Sequence, residues 1–178
     1  MKKFLTIALI IILAGLIIFY FTKDNSISLD AGKSAKQSEN FQPDPSNATY
    51  VYDDGSYTLS NSRVETNSGE EIVLLEEQNA YGDINADGKD DTVVFLVRMG
   101  GGSGVFIHVG AYVSGPVNYD GTNTIYLGDR IAPQSASITN GVITVRYLDR
   151  QEDQPFSVEP TILTSRVFVF SNGELVER

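Results

Sequence analysis

The chain has 178 residues, enough for one domain of ordinary size and an appendage, with no cysteine, no tryptophan and one histidine. The lack of cysteine excludes disulfides, thiolate metal sites and cysteine nucleophiles. The formal charge of -10 is unevenly placed: Lys2, Lys3 and Lys23 precede every acid, and from Asp24 onward 10 basic residues face 23 acidic ones, a net of -13 that repels phosphate backbones and argues against a nucleic-acid partner.

The first element expected is a membrane helix. Phe4 to Phe21, FLTIALIIILAGLIIFYF, carry no charge over 18 residues. At about 1.5 Å per residue such a helix spans about 27 Å, close to a bilayer core. Lys2 and Lys3 put the N-terminus in the cytoplasm under the positive-inside rule, and everything after Lys23 outside. The competing reading is a cleaved signal peptide, whose apolar stretch would run about 7–15 residues to a small-x-small site. Here the stretch is longer and ends in IFYFTKD, and Leu16 follows the LAG at Leu13–Gly15 where a lipoprotein signal would carry cysteine. Residues 1–23 are therefore expected to be a single-pass anchor of the cell membrane. Residues 24–45, DNSISLDAGKSAKQSENFQPDP, read as a flexible linker by composition. Their root-mean-square reach as a coil is roughly 25 Å.

From Ser46 the pattern changes. Turn signals recur at Asp53, Asn67, Asn85, Gly100, Tyr119, Thr139 and Ser171, and the runs between them are rich in Val, Ile, Tyr, Phe and Thr. Such runs read as strands. GEEIVLLEEQNA has one short apolar block and no helical period, so it too reads as a strand. TVVFLVRM and VFIHVGAYV form a hairpin joined by Gly100–Gly104, and both are apolar on both faces, which requires cover on both faces. SITNGVITVRYL is a hairpin with Asn140-Gly141 at its turn, and VFVFSNGELVE is another. The expected fold of residues 46–178 is all-β, an antiparallel β-sandwich or partly open barrel of about eight strands.

Between the strand ending near Asn79 and the one starting at Thr92 lies YGDINADGKDD. Its spacing is D-x-N-x-D-G-x-x-D, which matches the first nine positions of an EF-hand-type loop. Asp83, Asn85 and Asp87 supply side-chain oxygens at positions one, three and five. Gly88 permits the sharp turn, Lys89 offers its carbonyl, and Asp91 serves position nine directly or through water. Hard oxygens in this number suit Ca2+. Without a cation, Asp83, Asp87, Asp90 and Asp91 crowd like charges at the edge of a core. Position twelve is Val94 and the flanks are strands, so this is not an EF-hand domain. The loop resembles the calcium loops of FG-GAP repeats, although the chain has a single copy. The expected role is structural, with affinity on the order of 10⁻⁴–10⁻³ M. The alternative is a solvated turn of the Asx type.

Other candidates are weaker. His108 sits among apolar neighbours in VFIHVG, as a packed or rim histidine would. GGGSG lacks the Lys and Ser/Thr of a phosphate loop, and Ser103 has no G-x-S-x-G context. LGDRIAPQ and YLDRQEDQP each hold an Asp-Arg pair at a strand end. Together they form either a polar rim that binds something or surface ion pairs worth little. Asn47-Ala48-Thr49 fits a glycosylation sequon by pattern alone.

The set YGDINADGKDDTVVFLV, GGGSGVFIHVGAYV, GTNTIYLGDRIAPQ and NGVITVRYLDR, over about Tyr81 to Arg150, resembles a family of bacterial envelope proteins. In that family the domain follows a signal or lipid anchor and carries no assigned activity. The resemblance implies an extracytoplasmic place and a calcium-type loop, and it brings no catalytic residues. Two functional readings follow. One is a membrane-anchored binding or structural module whose partner is an envelope protein or polysaccharide. The other is a small envelope hydrolase using acids such as Asp129 or Asp149, although no nucleophile lies beside a base.

Overall fold

The computed structural model describes residues 41–178. The membrane helix expected at residues 4–21, and the linker up to residue 40, lie outside the described residues. All the regular structure described is β. The twelve strands are β1 (Thr49–Tyr52), β2 (Gly55–Thr58), β3 (Arg63–Glu65), β4 (Glu71–Gly82), β5 (Asp91–Met99), β6 (Val105–Ser114), β7 (Tyr119–Gly121), β8 (Ile125–Asp129), β9 (Ala132–Thr139), β10 (Val142–Asp149), β11 (Ile162–Ser171) and β12 (Glu174–Glu177). The surplus over the expected eight is short: β1, β2, β3 and β7 have three or four residues each, too few to show an alternating pattern in sequence.

The strand pairs are antiparallel. One sheet runs β3-β4-β5-β6-β7, with β8 beside β7 on the same edge of β6; a second runs β12-β11-β10-β9; β1 and β2 form a hairpin of their own. The double-sided apolar pattern of β5 now has its cause. Val93, Phe95 and Val97 point into a core shared with Ile143, Val145 and Tyr147 of β10 and Phe168 of β11. Val94 and Leu96 point the other way, into a second core with Tyr50 and Tyr52 of β1, Leu59, and Ile72 and Leu74 of β4. Each such side chain contributes about 1.5–3 kcal/mol when fully buried, and residues 93–97 are buried without interruption. The β5–β6 hairpin is thus the middle layer, between the four-stranded sheet and the β1–β2 hairpin.

Both expected tight turns are present. Asn140 and Gly141 have φ of 51° and 75°, and Asn172 and Gly173 have 53° and 88°. Positive φ at both central residues is what a type I′ hairpin turn requires. β4 is interrupted: Leu75 stands opposite Phe95 and Ala80 opposite Val93, so Glu76–Asn79 bulge out of the ladder. At the N-terminal boundary, Phe41–Pro45 lie against the domain. Pro43 and Pro45 are buried, the Thr92 hydroxyl donates to the Pro43 carbonyl at 3.0 Å, and Phe41 sits 6.0 Å from the Tyr119 ring.

Candidate functional site: an acidic loop and a polar rim

The loop Asp83–Asp91 closes the gap between β4 and β5. Its turn is left-handed at two places, Ala86 with φ of 63° and Gly88 with 84°. Gly88 at the sixth position therefore does what the spacing requires of it. The Asp83 carboxylate faces the inside of the turn. Its Oδ1 accepts from the Ala86 and Asp87 N–H groups at 2.6 and 3.2 Å, and its Oδ2 from the Gly88 N–H at 2.9 Å. Asn85 Oδ1 accepts from the Asp87 N–H at 3.0 Å, and Asp87 Oδ1 from the Lys89 N–H at 2.9 Å. The loop is a nest of backbone donors wrapped around carboxylates.

Asp91 opens β5 and is fully buried. A buried carboxylate is costly unless it is hydrogen-bonded, and this one is. Oδ2 accepts from the Ile84 N–H at 2.9 Å; Oδ1 accepts from the Ser114 N–H at 2.8 Å and its hydroxyl at 2.9 Å. Asp91 thus ties the loop to the last residue of β6. The Ser114 hydroxyl also lies 2.7 Å from Asp87 Oδ2. A hydroxyl has one proton, so two carboxylates share a donor that serves one at a time. Asn85 Nδ2 donates to the Ser114 carbonyl at 2.8 Å, closing the same knot. The Ser114 hydroxyl, and after it the Lys89 N–H, hold the Asp87 carboxyl below the usual carboxylate range.

Four of the expected metal residues, Asp83, Asn85, Asp87 and Asp91, are thus knitted together in one loop. Lys89 presents its ammonium 3.6 Å from Asp87 Oδ2 and 3.3 Å from the Gly115 carbonyl. Among the described residues, no three Asp, Glu or His side chains converge closely enough to hold a metal ion. The donors nonetheless fit a hard cation in kind: all are oxygens on a turn of the right shape, and Asp87 and Asp91 reach a common point. Ser114 was not foreseen. It lies 23 residues beyond Asp91 and carries no local motif; only the β5–β6 register brings it there.

At another place on the domain the two Asp-Arg segments meet. Asp129 Oδ1 accepts from the Val105 N–H at 2.8 Å, and its Oδ2 pairs with Arg130 at 3.0 Å. Asp149 Oδ1 accepts from the Arg150 N–H at 2.7 Å. Arg150 Nη1 donates to the Arg130 carbonyl at 2.7 Å, and both guanidinium groups lie over the Phe156 ring, at 4.5 Å for Arg130 and 5.8 Å for Arg150. The result is a cleft of about 410 Å³ between the ends of β8 and β10. Arg130 takes φ of 51°, a left-handed conformation costly for a residue with a side chain.

His108 is half-buried between Tyr52, at 4.9 Å, and Tyr126, at 5.5 Å, and burial lowers its pKa. Asn47 is engaged with the Ser46 hydroxyl and the Asn61 N–H. No family model, no curated protein and no solved structure matches the chain.

Proposed function

We propose that the chain is a non-catalytic module of the bacterial cell envelope, held outside the membrane by its N-terminal segment and stiffened by one calcium ion in the Asp83–Asp91 loop. The observation that carries this reading is the meeting of Asp87 and Asp91 at a single Ser114 hydroxyl, beside a loop already turned at Ala86 and Gly88. One proton cannot serve both carboxylates, and a cation can. In this reading the side-chain oxygens of Asp83, Asn85, Asp87 and Asp91 and the carbonyl of Lys89 hold the ion. Binding it fixes the joint of β4, β5 and β6 in a domain without disulfides. The two sheets share one core, which favours a sandwich over a barrel. A hydrolase using Asp129 or Asp149 is the weaker reading, because each carboxylate is already engaged by a backbone N–H and, among the described residues, no hydroxyl or imidazole is hydrogen-bonded to either.

The test is thermal melting with EDTA, calcium or magnesium. Calcium at tenfold excess over Kd stabilises a folded state that alone binds it by about 1.4 kcal/mol. Magnesium does much less, since it demands stricter octahedral geometry and releases water reluctantly. Asp83→Ala and Asp87→Ala each abolish the calcium shift, and Asp90→Ala leaves most of it. Identical melting in EDTA and in calcium would leave only a hydrogen-bonded turn.

A further inference from the structure

We infer that the cleft between the ends of β8 and β10 is the ligand site of this module, and that it takes a neutral saccharide chain. The inference rests on the reading of the chain as a binding module, and not on its calcium.

Two aromatic rings stand in the cleft with much of their surface in water: Tyr126 is 49% exposed and Phe156 is 56% exposed. Neither is loose. Tyr126 leans on Phe106 at 6.3 Å and His108 at 5.5 Å, both on β6. Phe156 lies under the guanidinium of Arg130. Rings held in place with about half of their surface in water can stack on a flat apolar face, such as the C–H face of a sugar, Phe156 by the part that the arginines do not cover. Around them stand planar polar groups, the carboxylates of Asp149 and Glu152 and the amides of Gln151 and Gln154. Asp149 uses one oxygen for the Arg150 N–H. Carboxylates and amides are the groups that accept from and donate to ring hydroxyls. The volume, about 410 Å³, falls in the usual range of small-ligand sites, about 300–1,000 Å³.

Charge narrows the class. Both arginines are already committed: Arg130 to Asp129 and the Ser103 carbonyl, Arg150 to the carbonyls of Arg130 and Val158. The charged groups left facing the cleft are acidic, so phosphate, uronate and other anionic ligands are repelled. An added peptide strand is disfavoured by the local backbone. The Tyr126 carbonyl at the edge of β8 is capped by Arg166 at 2.7 Å, and the Asp149 carbonyl accepts from the Thr161 N–H at 2.9 Å. A hydroxyl-rich, uncharged ring meets every one of these conditions.

The experiment uses the full-length chain in a polyoxyethylene detergent, which carries no sugar. Native gels are cast with galactomannan, xyloglucan, soluble β-1,3-glucan or mannan, and with polygalacturonate and poly-lysine for comparison. Retardation by at least one neutral polysaccharide, and none by polygalacturonate, is expected. Tyr126→Ala and Phe156→Ala, both at exposed positions, should each weaken binding about fivefold or more while the domain keeps a cooperative melting transition well above the assay temperature. Glu152→Gln should weaken it less. Retardation by none of the four neutral polymers, retardation equal in both aromatic variants and the parent, or retardation by poly-lysine alone would each overturn the proposal. Release of reducing ends from the retained polymer would keep the saccharide cleft and sink the non-catalytic reading, so the two failures are separable.

Discussion

The acidic loop and the polar rim both gather carboxylates at strand ends, and they neutralise them by different means. In the loop most partners are N–H groups, those of Ile84, Ala86, Asp87, Gly88, Lys89 and Ser114, fixed by the course of the backbone, with the Ser114 hydroxyl and the Lys89 ammonium beside them. At the rim, Asp129 and Asp149 accept one backbone N–H each, and the second oxygen of Asp129 is balanced by Arg130 on a flexible stem. A charge balanced by peptide donors holds only while the chain keeps one shape, so the acids of the loop depend on the fold around them. A charge balanced by a side chain survives its rearrangement, so the rim tolerates a change of partner that the loop does not.

The same substitution at one acid of each region separates them most sharply. Asp91→Asn sets an amide NH₂ against a buried N–H donor whichever way it turns, because both oxygens of Asp91 accept from N–H groups. A buried unsatisfied donor costs about 1–3 kcal/mol, so a loss near 3 kcal/mol is expected in urea unfolding, a large part of a typical 5–15 kcal/mol. Next comes Asp83→Ala, which strips the Ala86 and Gly88 amides of their acceptor and leaves the Asp87 amide with Asn85 Oδ1. Those amides reach water, and a loss of about 1 kcal/mol is expected in metal-free buffer. Asp129→Asn should cost less than about 1 kcal/mol, since its amide oxygen keeps the Val105 N–H and Arg130 turns to solvent. A loss at Asp129 equal to that at Asp91 would erase the distinction.

The smallest effect concerns pH. The folded-state pKa of Asp87 lies below its unfolded value, chiefly through the Ser114 hydroxyl. Such a group adds stability that is fully present above the unfolded pKa of about 3.9 and is lost as pH falls through the lower folded value. Ser114→Ala should therefore raise the Asp87 pKa in a carboxyl NMR titration and flatten the melting curve between pH 5 and the acid limit by a small amount. An unmoved Asp87 resonance would remove Ser114 as its partner.

The middle layer was legible because burial on two faces leaves an unbroken apolar run, as in Val93–Val97. The hairpin turns were legible because Asn-Gly tolerates positive φ. The loop's own spacing gave Asp83, Asn85, Asp87 and Asp91, whose contacts are mostly local. The rest depended on distance along the chain. Ser114 completes the loop only through strand register. Phe156 becomes a rim residue only when the segments after β8 and β10 meet. Tyr50 and Tyr52 cover the far side of β5 from a strand of four residues, too short to announce which face it buries.

The bulge in β4 exchanges the two faces of a single strand. From Leu75 to Ala80 the strand advances five positions while its partner advances two, from Phe95 to Val93. Side chains alternate, so an odd advance against an even one exchanges the faces. Ile72 and Leu74 point to the β1–β2 layer, whereas Ala80 points to the opposite core. Gly82 follows on that same side, where Ile138 approaches within 3.2 Å of where a Cβ would be. Glu76–Asn79 absorb that exchange outside the ladder, so the faces of Ala80, Tyr81 and Gly82 are set by their pairing with β5 and not by counting from Leu75. One strand thereby serves two cores, Ile72 and Leu74 on one side of the sheet and Ala80 on the other.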